Sequence, residues 1–281
     1  MKILSIDVGI KNLAYCLFEI NNKSNYLIKH WDVIDLMNEP VCTYISSDNN
    51  QCGVKAKFKK FNECYCKKHA KKHNIYLIPN TELNPIKCKR MKLHDLLILA
   101  KTFDIINDDT KINKTDLINK ITTFTETKNF DFISEQKCND INLVVLGRNI
   151  MNILDKNIKQ ENIDCVIIEN QIGPIANKMK TIQGMIAQYF IMNNVKTIEF
   201  ISSSNKLKHW VKKNTSYNER KKLGISITLN LINNNNQFKD WDEIFVKHKK
   251  QDDLADCYLQ GIWYLQENNL INIKTDIKTD I

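Results

Sequence analysis

Two apolar runs open the chain, 2–8 (KILSIDV) and 13–20 (LAYCLFEI), with Gly9 and Asn12 between them. Short β-rich runs bounded by turn residues predict a hairpin, and 27–36 (LIKHWDVIDL) predicts a third strand. Periodicity then fades through 40–73, where cysteines, histidines and lysines dominate. Helical spacing resumes at 92–106, returns briefly at 115–124 after Asn113 or Thr115, and again at 141–158. The run 164–169 (DCVIIE) is apolar without alternation and ends in a carboxylate, the pattern of a central strand buried on both faces. A helix over 178–192, a strand over 195–201, and helices over 204–213, 217–232 and 252–266 complete the pattern. A strand meander followed by strand–helix units predicts an α/β fold, a mixed sheet flanked by helices. The long stretch between the third strand and the 141–158 helix is too long for a bare loop and reads as an insertion with structure of its own.

One position breaks the apolar logic. Asp7 sits inside the first strand, where a carboxylate is costly unless it is paired, hydrogen-bonded or bound to metal. Glu169 ends the 164–169 strand, and Asp253 and Asp256 lie three apart, on one face of the last helix. Asp252 points away from Asp253 and suits a helix cap. If the strands of Asp7 and Glu169 are neighbours, the four acids can converge. Bare, they would repel one another. Two divalent ions, magnesium or manganese given oxygen-only ligands, would relieve that and support phosphodiester hydrolysis. Taken singly, each acid also fits a turn, a strand end or a solvated helix face.

These residues carry a resemblance. IDVGIKNLAY at 6–15, IIENQ at 167–171 and KKQDDLADCYLQ at 249–260 resemble the RuvC-like Holliday-junction resolvases of the RNase H-like superfamily, closest to the branch of poxviruses and other large DNA viruses. KMKTIQGMIAQYF at 178–190, SSSNKLK at 202–208 and SYNERKKLGI at 216–225 extend the likeness. The resemblance implies an RNase H-like five-stranded sheet and a homodimeric endonuclease that nicks four-way DNA junctions symmetrically. It places Asp7, Glu169, Asp253 and Asp256 as the magnesium-binding catalytic acids, and Arg220, Lys221 and Lys222 near DNA. Lys249 and Lys250 precede the acidic pair and suit a contact to the scissile strand. Its alternatives are an RNase H-type or flap nuclease and a non-catalytic branched-DNA-binding protein. An actin-like kinase also opens on Asp-x-Gly, but it needs a second glycine-bearing phosphate hairpin, and the chain has only 7 glycines.

The insertion changes the picture most. Cys42, Cys52, Cys66 and His69 form a mixed sulfur–nitrogen set suited to structural zinc, with Cys64 and His73 as rival ligands. The formal charge is +9, yet 55–92 alone carries +10, with twelve basic residues against Glu63 and Glu82, so the rest of the chain is near neutral. Lys57, Lys59, Lys60, Lys67 and Lys68 alternate with aromatic residues, a composition suited to phosphate contacts and base stacking. Residues 91–124 resemble a SAP-type DNA-binding helical pair. The expected organisation is a discontinuous nuclease core (1–37 and 141–270), a basic zinc-binding insertion (38–90), a helical insertion (91–140) and a flexible tail (271–281). Nine cysteines, several within predicted core elements, favour a reducing intracellular compartment over a disulfide scaffold. For a viral chain that would be the replication site in host cytoplasm. No run is long and apolar enough to span a membrane.

Overall fold

The computed structural model describes residues 1–107, 111–134, 137–138, 140–173, 177–211 and 215–272. The tail expected at 271–281 lies outside the described residues from 273 onward. Two compact units result, Met1–Asn38 with Lys137–Ile281, and Glu39–Gln136.

In chain order, β1 (Lys2–Asp7), β2 (Leu13–Asn22) and β3 (Asn25–Ile34) form an antiparallel meander. The second unit follows with β4 (Phe58–Lys60), β5 (Glu63–Tyr65), α1 (Lys67–Lys71), α2 (Pro85–Arg90), α3 (Leu93–Thr102), α4 (Lys114–Lys128) and β6 (Asp131–Phe132). The chain then returns through α5 (Leu143–Asn157), β7 (Cys165–Glu169), α6 (Asn177–Met192), β8 (Thr197–Ile201), α7 (Tyr217–Asn233), α8 (Lys239–Lys247) and α9 (Gln251–Glu267).

The first unit is a five-stranded mixed sheet in the order β3-β2-β1-β7-β8, with β7 and β8 parallel to β1. This is the RNase H-like architecture that the resemblance implies. Period-two alternation sorts the side chains to opposite faces. Ile3, Ala14, Cys16, Phe18, Cys165 and Ile167 pack in one cluster with α7, α8 and α9. Leu4, Ile6, Leu13, Tyr15, Leu17, Val166 and Ile168 pack in the other with α5 and α6. Gly9 is required between β1 and β2, because a Cβ there would lie 2.3 Å from the carbonyl oxygen of Asn12.

Two expectations fail here. Of the helix expected over 204–213, residues 212–213 lie outside the described residues, and the rest is a single 3-10 turn, Ser203–Asn205, followed through 210 by further turn structure. That segment buries Lys206 and Trp210. The second is α8, which the pattern did not predict. It is a nine-residue helix that seats Phe245 beneath Trp31, with ring centroids 5.2 Å apart.

The second unit holds two small hydrophobic cores. A three-stranded antiparallel sheet, β5-β4-β6, packs Phe58, Tyr65 and Phe130 together. Helices α2, α3 and α4 enclose Leu83, Leu96, Ala100, Leu117 and Ile121. Strand β6 comes from beyond α4 and pairs with β4, which closes the helical segment and the cysteine-bearing segment into one unit.

Candidate active site and metal centre

Register sets the first half of the acidic site. On β1 and β7 the last parallel partners are Ile6 and Ile168, so Asp7 and Glu169 are the next residues of adjacent strands. Both follow the Ile3, Ser5 and Cys165, Ile167 alternation and so face α9. They lie at the carboxyl ends of parallel strands, where open α/β sheets place their ligands.

Helix α9 brings the second half. Buried polar bonds fix its height over the sheet. Ser5 Oγ donates to the Cys257 carbonyl at 2.7 Å, the Gln260 amide donates to Ser5 Oγ and the Ile6 carbonyl, and Trp31 Nε1 donates to the Leu254 carbonyl at 3.0 Å. Gly261 permits the close approach, since a Cβ there would sit 2.2 Å from Cε2 of Phe18. Asp253 and Asp256 are thereby carried toward Asp7.

At the centre stands a residue that sequence reasoning did not select. The buried Lys206 ammonium lies 3.0 Å from Asp7 Oδ1, 3.2 Å from Asp256 Oδ2 and 3.3 Å from Glu169 Oε1. Burial pulls its pKa down, but the three carboxylates outweigh burial and raise it, so it is a fixed cation. Its signal in the sequence was the SSSNKLK segment, noted only as a likeness. Burial pushes Asp7 up to about 7, against the pull of Lys206 and with help from the Glu169 carboxylate. Burial also raises Asp256, and burial with the charges of Asp252 and Asp7 pushes Asp253 up to about 6.

Asp253 Oδ2 is buried without a hydrogen-bond partner. An orphaned carboxylate oxygen beside three acids that already share one cation marks a site with more negative charge than its protein neighbours neutralise. The donor set is oxygen-only, so Asp7, Glu169, Asp253 and Asp256 fit hard divalent cations. Asp252 is separate from this group. It lies in the first turn of α9, two positions past the N-cap Lys250, and it pairs with Lys221, which lowers its pKa despite burial. Lys221 is therefore held in an ion pair rather than presented outward, while Arg220, Lys222, Lys249 and Lys250 are exposed.

A second constellation lies in the other unit. Cys42 and Cys52 come from a loop closed by the Val41–Lys55 and Ile45–Gln51 bridges, while Cys66 and His69 come from the start of α1. Their ligand atoms all lie within 4.8 Å of one another. His69 Nδ1 is 3.4 Å from Cys42 Sγ and 3.5 Å from Cys66 Sγ. A tetrahedral ion with bonds of about 2.0–2.3 Å sets sulfur and nitrogen about 3.5 Å apart. The three cysteines and one histidine thus form a closed four-ligand cluster of structural type. Burial opposes the Cys66 thiolate, but the His69 backbone N–H and the thiols of Cys42 and Cys52 prevail and lower its pKa. Tyr44 stacks on the His69 ring at 4.0 Å, fixing the imidazole plane. The rivals drop out. His73 Nδ1 already accepts the N–H groups of Ile75 and Tyr76, and Cys64 stays outside the cluster.

Among the expected phosphate contacts, Lys57, Lys59, Lys67 and Lys68 are exposed. Lys60 is not available. It is 6% exposed, and its ammonium donates to the carbonyls of Glu126 and Asn129. Strand alternation turns it inward, and it serves as an internal clamp between β4 and the end of α4.

Two acids at the carboxyl ends of adjacent parallel strands and two more on α9 make an oxygen-only site suited to divalent cations, and the comparisons give the family. The chain belongs to the family described as mitochondrial resolvase Ydc2 / RNA splicing MRS1, whose model matches residues 3–171. The model of the poxvirus A22 protein matches residues 100–268. The uncharacterized protein L451 of Acanthamoeba polyphaga mimivirus is 31% identical over 328 residues, spanning 98% of this chain and 76% of its own. Similar solved structures include the fowlpox virus Holliday junction resolvase, with 16% identity, TM-score 0.42 and coverage of 95% of this chain and 99% of that one. The yeast mitochondrial resolvase Ydc2 has 14% identity, TM-score 0.43 and coverage of 95% and 81%.

Proposed function

We propose that this protein is a structure-selective endonuclease that resolves four-way DNA junctions by paired symmetric nicks, leaving 5′-phosphate and 3′-hydroxyl ends. The observation that carries the reading is the convergence of Asp7, Glu169 and Asp256 on one buried ammonium, with Asp253 orphaned beside them. It occurs in a chain whose family is named for a resolvase. Asp7, Glu169, Asp253 and Asp256 would hold two magnesium ions, which supply an activated water and stabilise the leaving oxygen. The residues themselves do the rest. Asp7 and Glu169 hold fixed positions on adjacent strands, the α9 pair closes over them, and Lys206 offsets part of their charge. Exposed Lys249 and Lys250, just before α9, and Arg220 and Lys222 on α7 would neutralise backbone phosphates.

Zinc is the ion we assign to Cys42, Cys52, Cys66 and His69, because thiolates with one imidazole select it. The exposed Lys57, Lys59, Lys67 and Lys68 beside that site would add a phosphate-binding surface, so branched shape rather than base sequence would be read. A homodimer would supply two active sites for two nicks. Reduced thiols throughout the chain suit a reducing intracellular compartment.

The test is cleavage of an immobile four-way junction in magnesium, against flap, linear duplex and RNA–DNA hybrid controls, by wild type, Asp7→Asn and Glu169→Gln. Paired nicks at the branch, lost roughly 100-fold or more in both variants, are expected. A wild type that cuts no branched DNA, or variants with full activity, would end the proposal.

A further inference from the structure

The basic segment holds two phenylalanines, Phe58 and Phe61, which sequence alone treats alike. The structure separates them. Phe58 is 4% exposed and packs on Phe130, whereas Phe61, at the β4–β5 turn, is 83% exposed. Phe61 also adopts φ +51°, a backbone conformation that a bulky residue rarely takes and that turns usually give to glycine or asparagine. Neither burial nor backbone comfort accounts for phenylalanine here. Its ring is nevertheless oriented. It meets the edge of Tyr76 at 6.4 Å, and the Lys60 ammonium, anchored on two carbonyls, stands 5.8 Å from its centroid. Tyr76 is held in turn by His73, stacked at 5.2 Å, and by Phe130. A rigid aromatic floor therefore props one free aromatic face, and exposed Lys57 and Lys59 precede it in the hairpin.

We propose that Phe61 is a stacking wedge that takes an unpaired nucleobase of branched DNA on its open face. This deepens the junction-binding reading above and rests on it. The choice of a nucleobase over an apolar protein surface follows from charge. The segment from 55 to 92 has twelve basic residues and two acidic ones, a setting for a polyanion. Stacking on an aromatic ring needs no base identity, which matches recognition by shape.

The full-length protein is tested with a four-way junction carrying 2-aminopurine at the branch. Phe61→Ala should weaken junction binding roughly 5- to 100-fold and remove the 2-aminopurine fluorescence change, with affinity for linear duplex little altered. Phe61→Trp should restore both. The slope of affinity against salt should be unchanged in Phe61→Ala, because no phosphate contact is lost, whereas Lys59→Ala should make it shallower by about one ion. The melting temperature of Phe61→Ala should not fall, since the ring is exposed and the turn is strained. Junction binding and cleavage by wild type with Phe61→Ala equal to it in affinity and fluorescence would overturn the wedge alone and point to a protein partner for that ring. A wild type that binds no junction would overturn both readings.

Discussion

Lys206→Met tests the electrostatics of the acidic site directly. The substitution keeps the length of the side chain and removes the one cation that three carboxylates share at 3.0, 3.2 and 3.3 Å. Removing one partner of a buried ion pair typically costs about 3–5 kcal/mol, because the remaining charge stays buried. In metal-free buffer at pH 8, Lys206→Met should lose about that much stability in urea unfolding of the first unit. The pH dependence has a definite sign. The folded-state pKa of Asp7 stands at about 7, above the ordinary carboxylate value of 3.8, so between these values the native state binds more protons than the unfolded chain. Stability contributed by this group therefore declines as pH rises from about 4 through 7. Without Lys206 that pKa climbs further, so the deficit of the variant should shrink at pH 5 and widen at pH 8. Magnesium should recover part of it at pH 8, as a substitute cation for the same oxygens. Equal stability of variant and wild type at pH 8 in chelator, or a deficit independent of pH, would refute the account.

Three further outcomes follow from the geometry. Asp252→Asn should reduce cleavage less than 10-fold, because Asp252 pairs with Lys221, whereas Asp253→Asn should reduce it roughly 100-fold or more, as read by single-turnover kinetics on a junction. Cys66→Ser, or exposure to a strong chelator, should release about one zinc per chain by elemental analysis and lower the melting transition of the second unit, leaving the sheet of the first unit folded. Gly261→Ala should destabilise by about 1–3 kcal/mol through the clash with the buried Phe18 ring and reduce cleavage by shifting α9, with Phe18→Leu restoring part of both.

The β1–β2 hairpin, the buried β7 strand and most helices were legible because each carries its own period. Asp7, Glu169, Asp253 and Asp256 stood out for a local reason, a carboxylate in or at the end of an apolar element. The spacing Cys66-x-x-His69 likewise announced a chelating pair, and Cys42 and Cys52 were its natural distant partners. What local pattern could not carry was anything decided by a contact far along the chain. Lys206 looks like any lysine in a polar turn until strand pairing and the seating of α9 bring residues 7, 169 and 256 around it. Lys60 looks like its neighbours in a basic run until β4 turns it onto the end of α4. Phe58 and Phe61 look alike until the fold sets one within β4 against Phe130 and the other in the β4–β5 turn. The sequence by itself thus determined which elements form and which acids are out of place. Tertiary structure decided which charges neutralise one another and which stay exposed, because neutralisation and burial depend on distances that only the folded chain creates.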